Sequence, residues 1–209
     1  MDDTDKRLIS ILQKNGRTSL SKIGEHLGMS HVAVSKRLDK LVKPNLRDGS
    51  EPLVKVTTGI NSELLNTKIL FMGLETENMD VAEKIKKKYE NCPRLLMFAP
   101  VTGRFNLFAM MIAEDTWSLE SIMGTCSMRT EPGVRKSESW FGNAPLIPKY
   151  LQLDLAPGQT GTSKAPCKMD CASCTRYKID KCVGCPNTSA YKGTLWANPV
   201  APKRKRRKS

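Results

Sequence analysis

The sequence predicts an α+β protein in three parts: an N-terminal winged helix-turn-helix, a ferredoxin-like β-α-β-β-α-β domain, and a small C-terminal metal-binding module. Three observations predict it. Apolar residues recur at helical spacing in three short stretches over residues 4–43, with a Gly-x-Ser turn before the third. Residues 67–155 then alternate strand-length apolar runs with amphipathic helical stretches. Beyond them, five of the seven cysteines crowd into 19 residues.

In the first part, Leu8, Ile11 and Leu12 form an apolar stripe that stops at Asn15-Gly16, and Leu20, Ile23 and Leu27 form a second that stops at Gly28. Ser30 is placed to cap a third helix, in which Val34, Leu38 and Leu41 face inward while His31, Ser35, Lys36, Lys40 and Lys43 point elsewhere. Helix, tight turn and helix is the layout whose second helix enters the major groove of double-stranded DNA. Pro44 ends that helix, and Asn45 to Glu51, with Asp48-Gly49, reads as a hairpin wing.

In the second part, Lys68 to Glu75 is fit for a strand, and Val81, Ala82, Ile85 and Tyr89 make the inner stripe of a helix with lysines outside. Two apolar runs follow, Leu95 to Val101 and Phe105 to Ala113, split by a Thr102-Gly103-Arg104 turn. A second helix opens at Asp115 or Thr116 with Leu119, Ile122, Met123 and Cys126 inside, and a last strand runs from Val134 to Phe141. That order is a split β-α-β unit. Residues 156–166, rich in Pro, Gly, Thr and Ser, read as a linker.

The formal charge of +13 is unevenly spread. Residues 1–60 carry 11 basic and 7 acidic side chains, residues 61–155 carry 11 and 12, and residues 156–209 carry 12 and 2. Polyanion binding is therefore expected at the two ends, and the basic run Lys203 to Lys208 reads as a disordered arm that holds phosphate or serves nuclear import. No apolar run approaches the roughly 18 residues of a membrane span. The acidic opening Met1-Asp2-Asp3-Thr4-Asp5 lacks the pattern of a secretory signal, so a cytoplasmic protein is expected.

The cysteines are spaced Cys167-x3-Cys171-x2-Cys174-x7-Cys182-x2-Cys185. In a reducing compartment an odd cluster favours metal over disulfides. The two Cys-x2-Cys pairs suit a tetrahedral zinc ion (Zn2+), which would replace a hydrophobic core in so small a module. The competing reading is an iron–sulfur cluster, since five thiols and the Cys185-Pro186 pair also occur around clusters. Cys92 and Cys126, in apolar surroundings, read as buried small hydrophobes. Two histidines, His26 and His31, stand apart from any nucleophile or paired-carboxylate motif, and no phosphate loop or Ser elbow occurs, so an enzyme is not expected.

Asp2, Asp5, Leu8-Ile9, Leu12, Asn15-Gly16-Arg17, Ser19, Ile23 and Leu27-Gly28-Met29-Ser30 follow one another in an order that resembles the Lrp/AsnC transcription regulators. The resemblance continues through Ala33-Val34, Arg37-Leu38 and Leu41, then Lys68 to Leu74, Thr102-Gly103-Arg104-Phe105-Asn106, and Glu131-Pro132-Gly133-Val134-Arg135-Lys136-Ser137-Glu138, about 150 residues in all. It implies a winged helix-turn-helix (residues 1–60) joined to a RAM-type α/β domain (residues 66–155) that forms a homodimer or higher oligomer and senses an amino-acid-like effector. Gly103 and Asn106 then border the effector site, although Asn106 stands where the family usually has Asp, and the loop from Pro44 to Glu51 exceeds the family's usual short wing. A two-fold dimer presents two recognition helices to inverted half-sites.

The sequence thus predicts a sequence-specific, nucleoid-associated regulator. Ser30, His31, Ser35, Lys36, Arg37 and Lys40 are its candidate DNA contacts; Cys167, Cys171, Cys174, Cys182 and Cys185, over residues 160–198, are its candidate metal ligands; and residues 199–209 form a basic tail. A nonspecific architectural DNA-coating protein and a redox protein carrying a cluster are the alternatives.

Overall fold

A computed structural model describes residues 1–44, 50–157 and 164–197. The hairpin wing expected over residues 45–51 and the basic arm lie largely outside the described residues. The chain divides into two compact units, Met1–Thr58 and Gly59–Ser209.

The first unit is three helices, α1 (Asp3–Lys14), α2 (Leu20–Leu27) and α3 (His31–Val42). Each is started by a side chain that satisfies an otherwise orphaned amide. Asp2 accepts from Asp5 N while Asp5 accepts from Asp2 N, a reciprocal cap; Ser19 accepts from Lys22 N; Ser30 accepts from Ala33 N. Leu8, Ile23, Val34 and Leu41 are buried together, with Ile9, Ile11, Leu12, Leu20, Leu27 and Leu38 around them. After the wing region the chain returns to this core: Val54 packs there and its N–H donates to Leu41 O. Gly24 fixes the close approach of α2 to the turn, since a Cβ there would lie 2.4 Å from Met29 O, and Gly28 takes the left-handed conformation that ends α2.

The second unit opens on β1 (Ile60–Asn61), followed by β2 (Lys68–Thr76), α4 (Met79–Tyr89), β3 (Leu95–Pro100), β4 (Leu107–Ala113), α5 (Thr116–Gly124), β5 (Val134–Gly142) and β6 (Tyr150–Leu151). The four long strands form an antiparallel sheet in the order β3-β4-β2-β5, and β1 pairs with β6 in a separate ribbon. Two split β-α-β turns produce that order, as the sequence pattern predicts. Alternation along β2 and β4 sends Leu70, Met72, Leu74, Leu107, Ala109 and Met111 to the face covered by α4 and α5. Ile69, Phe71, Met110 and Ile112 point to the opposite face.

The segment after residue 163 is packed into this second unit. Ala165, Cys167 and Cys171 join the core on the helix side of the sheet, whereas Tyr191 and Trp196 join Ile69 and Ile112 on the other side. One short helix, α6 (Thr175–Lys178), lies between. The segment therefore wraps from one face of the sheet to the other, where the sequence suggested a module standing past a linker. Among the described residues no helix is long and apolar enough to cross a membrane.

Candidate functional site

Helix α3 has one face committed to the core and one to solvent. Val34 and Leu41 are buried and Leu38 half-buried; Ser30, His31, Lys36 and Lys40 are exposed, and Ser35 is half-buried. Ser30 spends its hydroxyl oxygen on the Ala33 amide, which fixes where the helix begins. Lys43 pairs with Asp39 at 2.8 Å on the exposed side. The remaining cations Lys36 and Lys40 stand one turn apart, the spacing that lets both follow one line of phosphates.

Arg37 is placed differently from its neighbours. Its Nη1 donates to Asp2 at 2.7 Å and to Asp5 at 2.8 Å, tying α3 to the start of α1. The reciprocal cap first and Arg37 second hold the Asp2 carboxyl below its usual range, and Asp5 is lowered in the same way. The guanidinium is thus engaged inside the unit.

Val32 is absent from the contacts that the sequence pattern predicts, yet it is 49% exposed beside His31 on the solvent face of α3. A branched methyl pair at that place is suited to the methyl group of a thymine. The signal that could have found it is an apolar residue off the Val34-Leu38-Leu41 stripe.

In the second unit, Gly103 adopts φ 146° in the β3–β4 connection, where only glycine is unstrained. Asn106 accepts from Thr76 N at 2.9 Å and from Thr76 Oγ1 at 3.3 Å, and donates to Thr76 O at 2.9 Å. Its amide is thereby occupied in clamping the end of β2. Neither residue lines the open cavity of about 240 Å³ formed by Lys68, Thr116, Leu119, Phe141, Gly142 and Asn143. There Lys68 Nζ donates to Asn143 Oδ1 at 3.0 Å.

Of the five clustered cysteines, Cys171, Cys174 and Cys182 line one cavity, which Cys167 and Cys185 do not. Cys126, just past α5, lies within electrostatic reach of Cys167, Cys171, Cys174 and Cys182, and Cys92 lies within reach of Cys167 and Cys185. Burial pushes the Cys126 thiol well up and Cys185 to about 12. Main-chain donors are aimed at several sulfurs: Gly184 N donates to Cys182 Sγ at 3.4 Å, Cys185 N to Cys171, and Asn187 N to Cys185. Among the described residues no three His, Cys, Asp or Glu side chains stand at ligand spacing around one point. The donor chemistry, thiols with peptide N–H groups behind them, is nonetheless that of soft-metal sites.

Polar contacts hold this region to the sheet domain. Ser121 Oγ donates to Lys181 O at 2.8 Å and accepts from Arg176 Nε at 2.8 Å, and Arg176 also reaches Trp117 O and Glu120. Arg94 forms a two-pronged pair with Glu114 at 2.6 and 3.2 Å and donates to Gly184 O at 3.0 Å, under the Trp196 ring at 4.7 Å. Tyr191 Oη donates to Glu114 at 2.7 Å and accepts from the amides of Leu195 and Trp196. Burial would pull Arg94 down, and the Glu114 carboxylate more than offsets it.

Residues 1–42 match the AsnC-type helix-turn-helix domain. The chain is 32% identical over 127 residues to the HTH-type transcriptional regulator LrpA of Pyrococcus horikoshii, covering 59% of this chain and 83% of that protein. It is 24% identical over 148 residues to the HTH-type transcriptional regulator Rv2324 of Mycobacterium tuberculosis, covering 70% and 95%. Its fold is similar to that of E. coli AsnC (TM-score 0.53, 16% identity, 68% of this chain and 91% of that one). It is also similar to the transcriptional regulator NMB0573 of Neisseria meningitidis, solved as its L-Met complex (TM-score 0.56, 18% identity, 74% and 97%). Three capped helices with a cationic outer face on the third, a split β-α-β sheet and this kinship agree: the chain is a DNA-binding transcription regulator and belongs to the Lrp/AsnC family.

Proposed function

We propose that this regulator reads specific sites by laying the outer face of α3 in the major groove, with Ser30, His31, Val32 and Ser35 toward base edges and Lys36 and Lys40 on phosphates. The observation that carries this is the two-faced burial of α3, which leaves polar and cationic groups, not core groups, free on one side. Arg37 supports the helix through Asp2 and Asp5.

The active form is a homodimer. The sheet face away from the helices carries Phe71, Phe105, Phe108 and Trp140, all partly open to solvent, with Trp140 45% exposed and edge-on to Phe105. An aromatic patch of this kind is what a second copy covers. A small amino-acid-like molecule modulates binding, in line with the L-Met complex of the Neisseria regulator. Lys68 and the start of α5 give the cavity at Thr116 a cationic, carboxylate-favouring lining. The cysteine-rich segment takes up a soft metal ion of the zinc class, with Cys167, Cys171, Cys174, Cys182 and Cys185 as the available thiols.

Footprinting and competition with the intact chain test the reading. A preferred duplex should outcompete random duplex by roughly 1,000-fold or more. Lys36→Ala and Lys40→Ala should weaken all sequences alike and each lower the logarithmic salt slope by about 0.9. Val32→Ala should instead flatten the preference at one base pair, worth about 1–3 kcal/mol at most. Equal binding to every duplex would leave only charge-driven coating of DNA.

A further inference from the structure

Four of the seven cysteines, Cys126, Cys171, Cys174 and Cys182, are among the residues that line one small, partly open cavity of about 20 Å³, beside Asp170 and Tyr177. That space is about right for one water-sized body. Three of these thiols come from the C-terminal segment, and the fourth comes from the turn that follows α5 in the sheet domain. Cys185, the expected second member of its Cys-x2-Cys pair, does not line the cavity.

From this placement we infer that Cys126 is a ligand of a single zinc-class ion held with Cys171, Cys174 and Cys182, so that the ion rivets the C-terminal segment to the sheet domain. The inference rests on the metal reading above and changes its ligand set: Cys126 takes the place that spacing alone gives to Cys185.

Four thiols meet the tetrahedral requirement of a closed zinc site. On binding, each thiol loses its proton to solvent and its sulfur lone pair forms the bond, giving a centre of net charge −2. The surroundings suit that charge. Gly184 N already donates to Cys182 Sγ, and the Cys185 amide to Cys171, as outer-shell donors do in thiolate sites. Gly184 holds φ 84°, and a Cβ there would lie 2.6 Å from Ala190 O, so the turn that aims this amide is fixed by glycine. Arg94, whose charge is met by Glu114, donates to Gly184 O at 3.0 Å and so helps hold the same turn in place. Among the described residues these sulfurs do not stand at ligand spacing, so the inference requires loading to draw them together.

The test uses the full chain saturated with zinc, and then with cobalt as a spectroscopic substitute. The wild type should hold one ion per chain, without inorganic sulfide, and show the charge-transfer intensity of four thiolates. Cys126→Ser should bind zinc more than about 100-fold more weakly, beyond the loss an outer-shell partner causes. Its cobalt form should show three thiolates, and Cys185→Ser should stay close to wild type. Because Cys126→Ser also alters a buried site, alkylation of the unmutated chain decides independently: Cys126 should be protected when loaded and modified after chelation. If Cys126→Ser keeps wild-type affinity, or Cys126 alkylates equally in both states, this ligand set is overturned while the metal reading stands. A wild type that binds no zinc, or that carries sulfide and a cluster chromophore, overturns both.

Discussion

Arg94 and Glu114 show how much a single pair decides in this chain. Their side chains are only 6% and 11% exposed, and both terminal nitrogens of the guanidinium have partners. A pair taken that far out of water contributes little net stability while intact, but removing one member strands a buried charge. Arg94→Ala should therefore destabilise the second unit by about 3–5 kcal/mol in denaturant unfolding, whereas Arg94→Met combined with Glu114→Leu should recover most of that. Gly24 acts through shape. A methyl there meets the Met29 carbonyl at 2.4 Å, so Gly24→Ala should cost about 1–3 kcal/mol by overpacking. Thermal melting of the chain, followed by far-ultraviolet circular dichroism, measures it.

Among the elements, α3 depends on α1 through charge. Asp2 and Asp5 titrate below their ordinary range, because of the reciprocal cap and then Arg37. A carboxylate lowered on folding lends stability above the unfolded pKa of about 3.8 and loses it as pH falls through the depressed folded value. The first unit should thus resist mild acid and come apart only below that range. Arg37→Ala should move its acid midpoint upward and weaken DNA binding without touching a base, which circular dichroism and a binding assay on one protein check together. The three tryptophans all lie in the second unit, so their fluorescence reports the other transition separately.

For the molecule as a whole, the C-terminal segment is part of the second unit and not an appendage. Ser118 and Ser121, polar yet buried on α5, are explained by it: Val183 N reaches Ser118 and Lys181 O accepts from Ser121. Tyr191 and Trp196 seal Ile69 and Ile112 on the far face of the sheet. Ending the chain at Pro157 should expose both surfaces, lower the melting temperature of the second unit and promote association, seen by light scattering after size exclusion. Removing only Lys203 to Lys208, which lie outside the described residues, should leave stability unchanged. It should also lessen the salt dependence of DNA binding, by about 0.9 in logarithmic slope for each phosphate that the basic run neutralises.

The sequence by itself determined the five longer helices, the four long strands and their order, because periodicity, capping residues and turn glycines act between near neighbours, while the short β1–β6 ribbon and α6 left no such signal. Ser30 caps α3, α5 opens at Thr116 behind Asp115, and a strand starts at Lys68, all as local pattern requires. What only the tertiary structure decided are meetings between distant segments. Arg37 turns to Asp2 and Asp5, Asn106 closes on Thr76, and Cys126, packed against the core as its apolar surroundings suggest, also lines the cavity shared with Cys171, Cys174 and Cys182. No spacing rule reaches across 30 or more residues, as from Asn106 to Thr76 or Arg37 to Asp5. Which polar groups pair there is set by how the sheet, the helices and the returning chain pack to exclude water.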